Sequence, residues 1–170
     1  MSVHLFNPNK LQYATKEKSA TDACILCSIA SHIEKIGSLE ICRTDKFIIS
    51  VNLYPFNTGH LMIFPIRHIE NIEDLTEDEA LQLHKLTALA VKILKNEYKP
   101  HGFNIGYNLG NAAGASIKHI HQHIVPRYAN ETGYLDVISG TKVVIIDPVE
   151  VKDNLISKFK EFKEYNFLND

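Results

Sequence analysis

Residues 116–127 read SIKHIHQHIVPR and put three of the chain's nine histidines, His119, His121 and His123, at alternate positions. Side chains two apart share a face of an extended strand. The spacing therefore predicts a row of imidazoles, with Ile120, Gln122 and Ile124 on the opposite, mostly apolar face. A lone histidine is commonly a satisfied core or surface residue. A purely structural row would have to bury or expose three titratable rings together, which favours a chemical role. A single metal ion is a poor common target. Alternate residues of a strand lie roughly 6–7 Å apart, whereas metal ligands sit about 2 Å from the ion.

Upstream, Asn108, Gly110, Gly114 and Ser116 form a loop that delivers the chain into this strand. Glycine lets successive backbone N–H groups turn toward an anion. Such residues also serve ordinary turns, but beside a histidine row they suggest a phosphate held against an imidazole. A neutral imidazole can attack phosphorus, act as a base or ligate a metal, according to what hydrogen-bonds its second nitrogen.

Further out, GFNIGYN (102–108) is a strand that pairs with the histidine strand. KFIISVNLY (46–54), rich in β-branched residues, and HLMIFPI (60–66), ended by Pro65, form a hairpin through Asn57-Thr58-Gly59. LEICRT (39–44) reads as another strand. The segment 76–98 opens with a capping box, Thr76 with Glu79, and carries Leu83, Leu86, Ala90, Ile93 and Leu94 on one side. It predicts a helix of about 20 residues, ended by Pro100 and Gly102. After a CILC turn, Ile29, Ile33 and Ile36 with Gly37 as a stop suggest a short helix. Residues ahead of Cys24 read as irregular, TKVVIID (141–147) as a candidate strand, and the charged tail as weakly helical. The class is α+β: an antiparallel β-sheet packed with a long helix and a short N-terminal helix.

The length of 170 residues fits one domain. Residues 1–145 form its body, and a helical tail, 146–170, belongs to the same unit. Apolar residues at 45% and charged residues at 22% suit a chain with a sizeable core. A net charge of -2 without a basic block disfavours a nucleic-acid polymer as partner. The first twenty residues carry Asn, Gln and Lys where a signal peptide needs an apolar run, and no stretch approaches the roughly 18 apolar residues of a membrane span. The expectation is a cytoplasmic protein with no membrane partner.

Three cysteines, two of them in a CxxC pair, point in a reducing compartment to metal or redox chemistry. Cys42 reads as a buried thiol. Cys24 and Cys27 have ligand-like spacing, but a structural zinc site usually takes four ligands, so two must come from elsewhere. His32, five residues after Cys27, is one candidate and otherwise a helix-surface histidine. A redox pair, disfavoured because no strand plainly precedes it, and two inert thiols are the alternatives. His4, His60, His84 and His101 read as structural or solvent-facing, and Lys118 and Arg127 as either phosphate contacts or surface residues.

GFNIGYNLGNAAGASIKHIHQHIVPRY (102–128) resembles the histidine triad (HIT) superfamily, whose signature is His-x-His-x-His followed by apolar residues. It looks most like the branch of diadenosine polyphosphate hydrolases and phosphorylases. The hairpin segment 47–76 and the N-terminal segment with CILC are similar to that branch too, so the resemblance covers roughly residues 3–145.

The resemblance implies a HIT-like fold and an enzyme, a nucleotide hydrolase or transferase acting on a dinucleoside polyphosphate or nucleotide conjugate. His121 would be the nucleophile that forms a nucleotidyl-histidine intermediate. His123 would contact the phosphate or leaving group, and Asn108 and Ser116 would hold the phosphate and orient the catalytic ring. The backbone of Gly114 and Ala115 would lie nearby, with Asn52 on the nucleoside side. Metal-binding members complete a zinc site with positions matching His68 and His119 beside Cys24 and Cys27. A homodimer is implied, paired through the long helix and neighbouring strands. His60 matches a family histidine and would support the site, and Lys142 lies in a stretch that would close it. Gln122 stands where relatives carry a larger apolar residue and should face away. The other class of function is a non-catalytic nucleotide-binding regulatory module, for which a nucleophile is unnecessary.

Overall fold

A computed structural model describes residues 24–32, 39–129, 131 and 146–163. The segment ahead of Cys24, the Ile33, Ile36 and Gly37 positions, and residues 141–145 of the candidate strand, Lys142 among them, lie outside the described residues. Five strands, β1 (Glu40–Arg43), β2 (Phe47–Val51), β3 (Leu61–Pro65), β4 (Gly102–Tyr107) and β5 (Gln122–Arg127), form an antiparallel sheet in the order β1-β2-β3-β5-β4. Among the described residues three α-helices accompany it: α1 (Ile25–Ala30), α2 (Glu77–Tyr98) and α3 (Pro148–Lys163).

Every residue of β2 and β3 is buried, because both faces of the sheet are covered there. Phe47, Ile49, Leu61, Ile63 and Ile124 pack in one core with residues of α2 and α3. On the other face, Ile48 and Phe64 pack with Leu26 and Ala30 of α1. The register aligns Ser50 with Met62, Met62 with His123, and His123 with Gly106. Partners in register share a face, so His123 stands on the α1 side. One face of the sheet carries the main helical core and the other carries the chemistry.

The α2 reading holds in detail. Glu79 N–H donates to Thr76 Oγ1 at 3.2 Å, Thr76 N–H donates to Glu79 Oε2 at 2.8 Å, and all five residues of the expected apolar side are buried. Arg67, just past β3, donates to both Glu79 oxygens at 2.7 and 2.6 Å. That guanidinium, with the Thr76 donors, holds the Glu79 carboxyl down to about 2. The helix ends on Lys99, which adopts left-handed backbone at φ 46. Gly59 turns the hairpin at φ 81, and a Cβ there would come 3.1–3.3 Å from Leu94, Tyr98 and Pro126.

Two sequence expectations are corrected. CILC is not a turn: Cys24 caps α1 and Cys27 lies inside it, because burying Leu26 and Ala30 against the sheet draws the helix start forward. The histidine segment is not one strand either, since β5 begins only at Gln122. The tail, expected to be helical, forms α3 over Pro148–Lys163, and its Val151, Leu155 and Phe159 are 1%, 0% and 1% exposed. Burying each contributes roughly 1.5–3 kcal/mol, and α3 packs along β1 and β2.

Candidate active site and metal centre

His119 and His121 precede β5 in irregular backbone, and both are buried together with the intervening Ile120. Ile120 N–H donates to Ile69 O at 2.8 Å, which pins the segment to the stretch after β3. Outside a strand the alternation that predicted a single row no longer applies. The rings take separate directions.

His119 turns toward α1. Its Nε2–H donates to Pro65 O at 2.9 Å, which leaves the Nδ1 lone pair 3.4 Å from Cys24 Sγ and 3.5 Å from Cys27 Sγ. His68 Nδ1 lies 3.2 Å from Cys27 Sγ, and its Nε2 lies 3.7 Å from Glu70 Oε1. The ligand atoms of these four residues all fall within 4.8 Å of one another. Residues three apart on a helix share a face, so α1 presents both thiols to the same point. Arg43 closes the other end of α1: it donates to Ala30 O at 2.8 Å and Ile29 O at 3.3 Å while Glu40 grips it at 2.7 and 3.0 Å.

Burial pushes His119 down to about 4, so the ring is neutral and ligand-competent. Burial, then the neighbouring Cys24, pushes the Cys27 thiol up to about 11; a bound cation is what displaces such protons. Two thiols and two imidazoles, with a carbonyl holding one ring from behind, are the donor chemistry of a tetrahedral metal site. His32, exposed just past α1, is not in the group.

His121 donates from Nδ1–H to the carbonyl oxygen of His119 at 2.7 Å. A neutral imidazole has one N–H, so its Nε2 carries a lone pair. The His121 and His123 rings meet edge to face with centroids 4.8 Å apart. The tautomer of His123 follows from a chain of bonds. Phe56 N–H donates to His60 Nδ1 at 3.1 Å, which places the His60 proton on Nε2, 3.0 Å from His123 Nδ1. His123 Nδ1 thus accepts, and the ring's proton sits on Nε2, which is buried without a partner among the described residues. The arrangement sets a bare nitrogen beside an unspent N–H donor. Burial, with His121 and His123 nearby, pushes His60 down to about 3, and burial beside His121 pushes His123 down to about 4.

Asn52 accepts from Tyr54 N–H through Oδ1 at 2.8 Å, with Nδ2 3.4 Å from His60 Nε2. Asn108 and His123 line a cleft of about 580 Å³ with Asn104, Tyr107, Phe56 and Arg127. In the loop between Asn108 and His123, Gly114 N–H donates to Asn111 O at 3.0 Å and Ala115 N–H to Gly110 O at 3.2 Å. Ser116 and Lys118 are exposed. Arg127 donates to Glu131 at 2.8–3.0 Å. Gln122 faces away from the site, Nε2 donating to Tyr107 Oη at 3.1 Å and Oε1 accepting from Thr87 of α2 at 2.5 Å.

The direct bond between His60 and His123 is sharper than the sequence reading. Its signal was present, since His60 alternates with Met62 and Phe64 onto the α1 face. The roles of Phe56 N–H, Pro65 O and Arg43 have no such signal, because they depend on backbone positions or on distant contacts.

Residues 34–130 match the HIT domain family model. The AP-4-A phosphorylase of Mycobacterium tuberculosis is 36% identical over 147 residues, 82% of this chain and 75% of that protein. The bis(5'-adenosyl)-triphosphatase of Saccharomyces cerevisiae is 39% identical over 79 residues, 46% of this chain and 38% of that protein. Among solved structures, a zinc-bound histidine triad family protein from Mycobacterium smegmatis superposes with a TM-score of 0.68 at 20% identity, covering 85% of this chain and 98% of that one. That likeness bears on the fold.

Proposed function

The chain belongs to the histidine triad (HIT) family, and from that premise we propose that it is an enzyme cleaving a dinucleoside polyphosphate, such as diadenosine tetraphosphate, or a related nucleotide conjugate. The observation that carries this reading is the bond from His121 Nδ1–H to His119 O, which leaves Nε2 as the nucleophile. His121 Nε2 attacks the α-phosphorus and forms a P–N bond as the P–O bond to the leaving phosphate breaks, its electron pair leaving with that oxygen. Water or inorganic phosphate then attacks the nucleotidyl-histidine and restores the ring. His123 Nε2–H donates to the phosphate or leaving oxygen. Donors fixed in advance stabilise charge that develops there.

Asn108 and Ser116 complete the phosphate surroundings beside the Gly114–Ala115 backbone, and Asn52 stands on the nucleoside side. Cys24, Cys27, His68 and His119 would hold a zinc ion, whose role is to cross-link α1 to the segment that bears His121. A homodimer pairs at β4, which ends the strand order and exposes Ile105 at 46%, together with α2. The body through residue 145 and the tail that includes α3 act as one unit. No described helix is long and apolar enough to cross a membrane; with the charge balance this supports a cytoplasmic location and partners other than nucleic-acid polymers.

The test is incubation with diadenosine tetraphosphate, with and without inorganic phosphate, followed by product analysis and a search for a nucleotidyl adduct on His121. AMP with ATP identifies hydrolysis and ADP with ATP identifies phosphorolysis. Binding with no adduct and no turnover would instead identify a regulatory nucleotide-binding module.

A further inference from the structure

We infer that the cleft beginning at His123 seats the nucleoside of the substrate's leaving half. The inference rests on the proposed cleavage at His121. The cleft is an open groove of about 580 Å³, within the roughly 300–1,000 Å³ of small-ligand sites. Its lining includes His123 but not His121. It therefore opens from the ring that donates to the departing oxygen, not from the nucleophile, which puts it on the leaving-group side.

Its walls suit a base and a ribose. Gly106 pairs in register with His123, and a Cβ built on Gly106 meets no described residue within 4 Å. The floor beside the catalytic ring is thus open backbone, which a flat group can approach closely. One face of Phe56 stacks on His60 at 5.4 Å and 17°, and the ring is 52% exposed, leaving surface for a base to stack. Asn104, two residues before Gly106, lies on the same face, and its Oδ1 accepts from Arg127 at 2.5 Å, so its amide nitrogen is the atom that can reach a base edge. Arg127 is compensated by Glu131 at 2.8 Å. That end of the cleft therefore offers amides and a neutralised ion pair, which fit an uncharged nucleoside better than a polyphosphate.

The experiment compares two substrates that place the same nucleotide on His121. Diadenosine tetraphosphate has a leaving nucleoside; adenosine 5′-phosphoramidate has none. Gly106→Val fills the floor, and Asn104→Leu removes the amide at similar size. In each variant the ratio of kcat/KM for the dinucleotide to that for the phosphoramidate is expected to fall about tenfold, mostly through KM. A loss shared equally by both substrates, or an unchanged ratio in both variants, overturns the inference while His121 still becomes adenylylated. Absence of an adduct in the wild-type protein with either substrate overturns the cleavage reading itself, and this inference with it.

Discussion

His121 donates its Nδ1–H to the main-chain carbonyl of His119, two residues away, across 2.7 Å. The first residue of the motif therefore sets the tautomer of the second through its backbone, while its own ring turns to the cysteines. Replacing His121 by Ala removes the proposed nucleophile and leaves the carbonyl, the cleft and the donor on His123 in place. Turnover is expected to fall by at least about a thousandfold, with nucleotide binding by calorimetry retained. Equal turnover by variant and wild type would rule out the histidine nucleophile.

His60→Phe tests the next ring. The change keeps an aromatic plane under Phe56 and removes the donor that fixes His123 Nδ1 as an acceptor. Loss of such an orienting partner typically costs about 10–100-fold. The loss should appear in kcat, with the His121 adduct still detectable by mass spectrometry after rapid quench. A fall in KM-dependent terms alone would contradict the assigned tautomer chain.

The same two rings predict how stability depends on pH. His60 and His123 are pushed down to about 3 and about 4, below the ordinary value near 6.5. Between those limits the unfolded chain binds more protons than the folded one, so this contribution is complete above about pH 6.5 and is lost as the pH falls toward 4 and 3. Melting temperature measured across that range should drop on acidification. The His60→Gln variant should show a shallower drop, and an identical slope would contradict neutral burial of that ring.

Cys27→Ser tests the metal centre. It removes one of the four ligand atoms that lie within 4.8 Å of one another. Zinc content by atomic absorption is expected to fall from about one per chain, the stoichiometry of a four-ligand site, toward none. Melting temperature should fall with it, since the cross-link between α1 and His119 is lost. Wild-type protein purified in zinc and still free of metal would dismiss the site.

Much of this was readable before any coordinates. The capping box and apolar stripe of α2 are local patterns, and Thr76, Glu79 and the five expected core residues sit where those patterns require. The hairpin alternation likewise sorts Ile49 from Ile48 correctly. What failed was local signal under tertiary control. The residues from Lys118 to His121 have strand-like alternation, yet burial of three consecutive residues and the bond from Ile120 N–H to Ile69 O hold them out of the sheet. The sequence pattern of α3 is weak because Lys and Glu crowd its outer side, while Val151, Leu155 and Phe159 are its buried core residues. The Cys24, Cys27, His68 and His119 set came from family resemblance, since spacing alone cannot bring residues nearly a hundred positions apart to one point.

Arg43 closes α1 through the carbonyls of Ile29 and Ala30, from a strand that contributes no metal ligand. Cys27 lies in that short helix and Cys24 caps it, so the guanidinium bears on the angle at which the two thiols are offered. A substitution at position 43 would therefore leave all four candidate ligands in place and still be expected to weaken the hold on zinc, read as faster loss of the metal to a chelator than from the unsubstituted chain.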